Sequence, residues 1–313
     1  MKPIIPITAL AEILEVTPQS IHQKMKRKKI QCPRNGKYSY IDYETSRKYF
    51  DLTFQKKKVA THIVKGGAGK STTAHQVSSC LNALGAKVLV IDCDHQANTT
   101  TYFGLQASPD SPVLIDLLEN DYTADEGLIN ICDGLDIFPS RMSNVMVDSH
   151  IITNQKILKD KLFEKKFKII ENDYDFIILD CPPALNHLVT SIYLYVDFIL
   201  APMMPNRGSM EALDIALKEQ NTYLADYGIN IDIKFFLNKI NQSKRLSNEV
   251  VGQLLTDERI KGKLFETYII ENAEIENLEF VGKSVFNNLK KLQSRNDFIN
   301  LTLEAFNINL KGK

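Results

Sequence analysis

The sequence has only five cysteines (Cys32, Cys80, Cys93, Cys132 and Cys181), and none forms a C-x-x-C pair. An odd count at those spacings excludes a disulfide framework and fits no zinc site. Reduced, mostly buried thiols in a cytosolic protein are expected instead. No run of about 18 apolar residues occurs, which excludes a membrane-spanning helix. The opening MKPIIPITALAEILEV is broken by Pro3 and Pro6 and carries two glutamates, so a signal peptide is not expected. Repeats and low-complexity tracts are absent. Net charge is absent too, with 38 Lys+Arg against 38 Asp+Glu. A chain of 313 residues, 44% hydrophobic and 24% charged, is not disordered, collagen-like or coiled-coil as a whole. It suits one large domain, or a domain plus a small appendage.

The zero net charge hides an asymmetry. Residues 1–58 hold 13 Lys/Arg and 5 Asp/Glu, so the rest of the chain is acidic overall. A basic segment on an acidic body suggests a polyanion-binding module attached to something else. The pattern changes near Gln55–Lys58, which predicts domains at 1–54 and 55–313.

In the first part, Ile7, Leu10, Ala11 and Leu14 fall at helical spacing. Thr17-Pro18 is a cap followed by Pro at the first helical position, so a second helix is expected from Pro18 to about Lys28. Asn35-Gly36 predicts a hairpin turn. A third helix is expected from Asp42 through Phe50. In the second part, apolar strand candidates are Val59–Val64, Val88–Ile91, Leu135–Phe138, Phe176–Leu179, Phe198–Ala201 and Ile233–Leu237. Helices are expected over Ser71–Leu84, Asn154–Ile170, Met210–Tyr227 and Ser247–Leu255. Buried strands alternating with helices predict an α/β fold with a mainly parallel sheet flanked by helices.

The informative run is Lys65-Gly66-Gly67-Ala68-Gly69-Lys70-Ser71-Thr72, placed between a strand and a helix. That is the context a phosphate loop requires. The glycines let backbone N–H groups converge on phosphate oxygens, and the helix aims its positive end at the same place. Lys70 is expected at the β- and γ-phosphates, the Ser71 hydroxyl on Mg²⁺, and Thr72 at the α-phosphate.

Lys65, a second lysine ahead of the glycines, resembles the deviant Walker A motif of the ParA/MinD/nitrogenase-iron-protein class. Two further segments carry the likeness. VLVIDCDHQANTT (88–100) is similar to the class's VLLIDxDPQGNxT segment, and DYDFIILDCPPAL (173–185) to its Walker B strand and DCPP turn. APMMPNRGSMEAL (201–213) and FFLNKINQSKRLSNEVVGQL (235–254) follow in order. The chain thus resembles ParA-type partition ATPases over roughly residues 57–290, with a P-loop NTPase core.

The resemblance implies roles. Lys65 would reach across a homodimer to the partner's phosphates. Asp94, 24 residues after Lys70, would orient the attacking water; Asp92 would support the Mg²⁺ shell and Asp180 would bind a water on it. Asn238 matches an adenine contact of MinD-like members, or is an ordinary strand-end residue. His95 replaces the usual Pro and is expected to be a partly exposed turn residue. Ala97 replaces the usual Gly, which would make the turn less rigid. Cys181 is expected to be structural, not a nucleophile. ATP or ADP and Mg²⁺ are the cofactors implied. The implied partners are DNA and a ParB-like centromere-binding protein that stimulates slow hydrolysis. The implied location is cytoplasmic and nucleoid-associated.

ALAEILEVTPQSIHQKMKRKKI resembles the helix-turn-helix of MerR-like DNA binders, giving a small winged-HTH-like N-terminal domain. Gln19, Ser20, Gln23 and Lys24 could reach base edges. Lys26, Arg27, Lys28, Lys29, Arg34 and Lys37 would neutralise phosphates. The alternative is a helical cap with solvated charges. A second, sequence-indifferent DNA mode could use Lys283, Lys290, Lys291 and Arg295, on or near an outward-facing helix, or these are merely a solvated face. The tail FINLTLEAFNINLKGK has too few cations for a membrane-surface helix and is expected to pack on the sheet. Two other functions stay open: a nucleotide-switched transcriptional regulator without segregation, and a MinD-like membrane-positioning ATPase.

Overall fold

A computed structural model describes residues 2–120, 122–154, 162–206, 208–228, 230–241 and 243–310. The N-terminal part has helices Ile7–Leu14, Pro18–Arg27 and Tyr43–Phe50. They pack with short antiparallel strands β1 (Ile4–Pro6), β2 (Arg34–Asn35) and β3 (Tyr38–Asp42), in the order β1-β3-β2. Thr17 caps the second helix by accepting from Ser20 N, with Pro18 at the first position as expected. The hairpin turn sits one residue later than Asn35-Gly36. Asn35 pairs with Tyr38, so Gly36 and Lys37 form the turn, and Gly36 takes φ +57°, which a side chain resists.

The remainder carries β4 (Lys57–Thr61), β5 (Val88–Asp92), β6 (Ile129–Cys132), β7 (Leu135–Phe138), β8 (Phe176–Asp180), β9 (Phe198–Met203), β10 (Asp232–Ile240) and β11 (Leu264–Ile270). They form one sheet in the order β11-β10-β9-β4-β8-β5-β7-β6, parallel throughout except that β6 runs against β7. The six strands read from apolar runs are all present. The helices expected near 71–84, 210–227 and 247–255 appear as Lys70–Ala83, Gly208–Tyr227 and Arg245–Thr256. Of the helix expected over Asn154–Ile170, residues 155–161 lie outside the described residues, and Leu162–Glu171 is helical.

The N-terminal elements share a core with the sheet. Ile5, Leu10, Ile21, Ile41 and Tyr49 pack in one apolar cluster with Val77, Leu81 and Leu84 of the phosphate-loop helix and with Phe298 of the last helix. That last helix, Gln293–Ala305, lies on β11 and on helix Lys70–Ala83, so the tail packs on the sheet as expected. No helix among the described residues is long and apolar enough to cross a membrane.

Burial corrects one expectation about the basic end. Arg295 is 1% exposed, and its guanidinium donates to the carbonyls of Val285, Asn288 and Lys290. Its donors tie down a main-chain turn, so it cannot meet DNA. Helix 293–305 is mostly buried and does not face outward; Lys283, Lys290 and Lys291 precede it.

Candidate nucleotide site

Three central strands end side by side. In the ladder Thr61 of β4 and Asp92 of β5 both register with Asp180 of β8. Strands buried on both faces place these polar ends at the carboxyl edge of the sheet, where parallel sheets bind ligands. The loop after β4 curls over that edge. Gly67 and Gly69 hold φ of +72° and +96°, and a Cβ on Gly69 would lie 2.4 Å from Asn238 Nδ2. The loop then runs into helix Lys70–Ala83, whose first turn presents free N–H groups.

The structure brings Lys70, Ser71, Asp94 and Asp180 together. Lys70 is 6% exposed and donates to the Lys65 carbonyl at 3.0 Å. Burial lowers its pKa, while Asp180 and Asp94 favour its charge. The Asp180 carboxylate accepts from Thr99 Oγ1 at 2.8 Å and from Thr61 Oγ1 at 3.3 Å, and the Ser71 side chain lies beside it and favours its charged form. Burial, with Asp94 nearby, raises Asp180 above the usual carboxylate range despite those bonds. Asp92 is fully buried, and burial next to Asp180 raises it further. Its Oδ2 accepts from Thr100 N at 2.8 Å and Thr100 Oγ1 at 2.7 Å, and Oδ1 from Asp94 N. Asp92 thus ties the strand end to the next turn. Asp94 is 5% exposed and accepts from Gln96 N at 3.0 Å; His95, partly exposed, lies 3.6 Å from it. Ala97 holds a left-handed φ of +54°.

The other expected residues have different neighbours. Thr72 donates to Glu279 Oε2 at 3.1 Å. Asn238 donates from Nδ2 to the Ala68 carbonyl at 2.8 Å and accepts from Lys239 N, so its amide holds the loop. A cavity of about 200 Å³ opens beside Thr72 and Asn238, walled by Ile270, Asn272, Ile275 and Glu276. Lys65 turns away from the loop, and its ammonium donates to Asn206 Oδ1 and, at 3.3 Å, to Ser209 Oγ. Cys181 is buried, and that burial pushes its thiol far up, away from nucleophile chemistry.

Sequence reasoning missed Thr99, Thr100, Asn206, Ser209 and Glu279. The two threonines had a signal, because buried carboxylates at a strand end need donors and Asn98-Thr99-Thr100 lies inside the matched segment. Asn206 and Glu279 had none.

On the N-terminal part, Gln19, Ser20, Gln23, Lys24, Lys26 and Arg27 are exposed on helix Pro18–Arg27, opposite buried Ile21 and Met25. Lys24 Nζ lies 4.9 Å over the Tyr49 ring. Lys28, Lys29, Arg34 and Lys37 are exposed beside them. At the other end Lys283 is half-buried and Lys290 exposed, while Lys291 pairs with Glu12 at 2.6 Å.

Residues 56–235 match a family model described as an AAA domain. The chain is similar to the sporulation initiation inhibitor protein Soj of Bacillus subtilis (strain 168), 23% identical over 233 residues, covering 73% of this chain and 90% of Soj. Its fold is similar to that of a McdA variant from Cyanothece in complex with ATP, with TM-score 0.71 at 18% identity, covering 82% of this chain and 98% of McdA. A putative plasmid partition protein from Borrelia burgdorferi B31 bound to AMPPNP gives TM-score 0.63 at 22% identity, covering 80% and 96%. The family match spans more than half of the chain, and it falls on the strands and loop that build the site. The chain therefore belongs to this AAA-domain family, as a ParA-type P-loop ATPase.

Proposed function

We propose that this protein is a DNA-partition ATPase that binds Mg-ATP at Lys65–Thr72, dimerises around it, binds DNA in that state and hydrolyses it slowly. One observation carries the reading. Two lysines bracket one glycine loop and do different things: Lys70 is buried against Asp94 and Asp180, whereas Lys65 stands outside the loop. A single-chain site needs only the first. The second suits a phosphate brought by another copy.

In this reading the loop N–H groups and Lys70 receive the β- and γ-phosphates. Among the described residues no three His, Cys, Asp or Glu side chains form a self-contained metal site. Mg²⁺ fits nonetheless, because Ser71 and Asp180 are hard oxygen donors and a Mg²⁺ that keeps waters needs few protein ligands. When bound, it supplies charge neutralisation across the phosphates. Asp94 accepts a hydrogen bond from the attacking water and aims it at the γ-phosphorus. The bond to the β–γ bridging oxygen breaks, leaving ADP, phosphate and a released proton. Lys70 and the partner copy's equivalent of Lys65 neutralise the charge that develops. The cavity beside Asn238 takes the base, with Asn238 exchanging the Ala68 carbonyl for the adenine edge.

The exposed polar stripe of helix Pro18–Arg27 supports operator binding by residues 1–54 as a winged helix-turn-helix domain, with the ATPase at 55–313. Lys283, Lys290 and Lys291 are proposed for sequence-indifferent DNA contact, with Lys291 first leaving Glu12. A ParB-like centromere-binding protein stimulates turnover, and the protein works on the nucleoid in the cytoplasm. The cargo is a plasmid or a chromosome, a reading that the name of the Borrelia protein, a putative plasmid partition protein, supports. A regulator without segregation is the second reading, favoured by the same stripe. Calorimetry tests the site: Lys70→Ala is expected to abolish tight ATP binding, and wild-type affinity would refute the assignment. Turnover raised by DNA together with a centromere-binding protein encoded beside the chain separates partition from the regulator.

A further inference from the structure

Lys65 is neither free nor at the phosphates of its own loop. Its ammonium is held by Asn206 Oδ1 and Ser209 Oγ, which belong to the turn after β9 and the start of helix Gly208–Tyr227. Ser209 is 1% exposed, and its Oγ also donates to the Met204 carbonyl, so that hydroxyl is itself braced. Gly208 leaves the space: a Cβ there would lie 3.1 Å from Lys65 Nζ. The residues are 141 and 144 positions apart in sequence, so the hold is made by the tertiary fold.

We infer that Asn206 is a positioning residue for Lys65, an intramolecular hold that the ammonium must leave before it can reach a phosphate on a second copy. This rests on the proposed role of Lys65 across the dimer.

The chemistry of the hold makes it exchangeable. Both acceptors are neutral oxygens, and the ammonium lies at the positive end of a helix. Burial lowers the Lys65 pKa, and the Glu211 charge opposes that only in part. A triphosphate is a far better acceptor for an ammonium, through charge-assisted bonds. A diphosphate lacks the terminal group, so the exchange favours dimers made with ATP. The hold therefore subtracts from dimer stability by a fixed amount in each subunit and keeps Lys65 occupied in the single chain.

The test compares Asn206→Ala and Asn206→Asp in the full chain by sedimentation velocity over a protein dilution series with Mg-ATP. Asn206→Ala loosens the hold, so the dimer dissociation constant is expected to fall by about thirty-fold, one net hydrogen bond being removed in each of two subunits. Asn206→Asp turns the bond into an ion pair, so the constant is expected to rise by about ten-fold or more. ADP affinity should stay unchanged in both, while the melting temperature of the nucleotide-free chain should fall slightly in Asn206→Ala and rise slightly in Asn206→Asp. A merely structural Asn206 would move both variants in one direction. Loss of the dimer in Asn206→Ala, or equal constants in all three proteins, would overturn the inference. Lys65→Ala separates the two claims. An unaltered ATP dimer there would refute the role of Lys65 itself, whereas a lost dimer with indifferent Asn206 variants would refute only the hold.

Discussion

The Ser46 hydroxyl donates to the Ala83 carbonyl at 2.6 Å, and Ala83 closes the helix that Lys70 opens. One 14-residue helix thus carries the phosphate end of the site and the seat of the N-terminal elements, roughly 20 Å apart at 1.5 Å per residue. Arg47 adds a bond to the Gly85 carbonyl at 3.3 Å. Gly85 has φ +96°, and a Cβ there would lie 2.9 Å from the Arg47 backbone nitrogen. Gly85→Ala should therefore destabilise the whole chain by about 1–3 kcal/mol, through left-handed strain and a backbone clash. Urea unfolding measures it, and an unchanged midpoint would mean that the N-terminal elements do not sit on this helix.

Much of this architecture is legible because strands such as β5 and β8 are buried on both faces and read as unbroken apolar runs. The phosphate loop is legible because only a strand–glycine–Lys-Ser–helix order does that work. By contrast β11 is an edge strand with Glu266 and Tyr268 exposed, so it shows no apolar run. Arg295 reads as a surface charge because arginines usually are. Here three carbonyls of one turn supply its acceptors, a fact of packing. The partner of Lys65 is 141 residues away and has no local signal.

Ala97 holds φ +54° directly after the Asp94 turn, and its N–H donates to the Asp94 carbonyl at 2.9 Å. Ala97→Gly should raise stability by up to about 1 kcal/mol, the left-handed cost removed less the added chain entropy. Thermal unfolding reads it out. A lower melting temperature would show that the alanine is unstrained.

The Glu12 carboxyl lies below its ordinary pKa, chiefly through its hydrogen bond from Lys291 and also that from Asn296. A depressed acid contributes stability above its unfolded pKa, and that contribution is lost as pH falls through the folded one. The pair is largely exposed, so screening keeps the gain under about 1 kcal/mol. Glu12→Gln should thus be slightly less stable than wild type at pH 7, with the difference shrinking as pH falls below the ordinary glutamate pKa and vanishing once it has passed the lowered one. A difference that stays constant with pH would exclude the ion pair as its source.

Removing residues 1–54 would strip Ile5, Leu10, Ile41 and Tyr49 from the face of helix Lys70–Ala83, so DNA modes are better separated by point substitutions. Gln23→Ala should cost ~1–3 kcal/mol on operator DNA and little on scrambled DNA. Lys26→Ala with Arg27→Ala should flatten the salt slope by ~0.9 for each phosphate no longer neutralised. Neutralising Lys283 and Lys290 should weaken only the ATP-dependent, sequence-indifferent mode. Fluorescence anisotropy across salt with each nucleotide measures all three. Loss of both modes from either set would leave a single DNA surface.

The proposed mechanism stands on an ATP dimer in which Asp94 acts on the water and not on assembly. Sedimentation velocity of Asp94→Ala with Mg-ATP and with Mg-ADP separates those two roles. A persistent dimer is expected with Mg-ATP, because turnover is blocked while Lys70 and Lys65 still hold the phosphates, and a monomer with Mg-ADP. An Asp94→Ala protein that binds Mg-ATP yet sediments as a monomer at every concentration would contradict the mechanism.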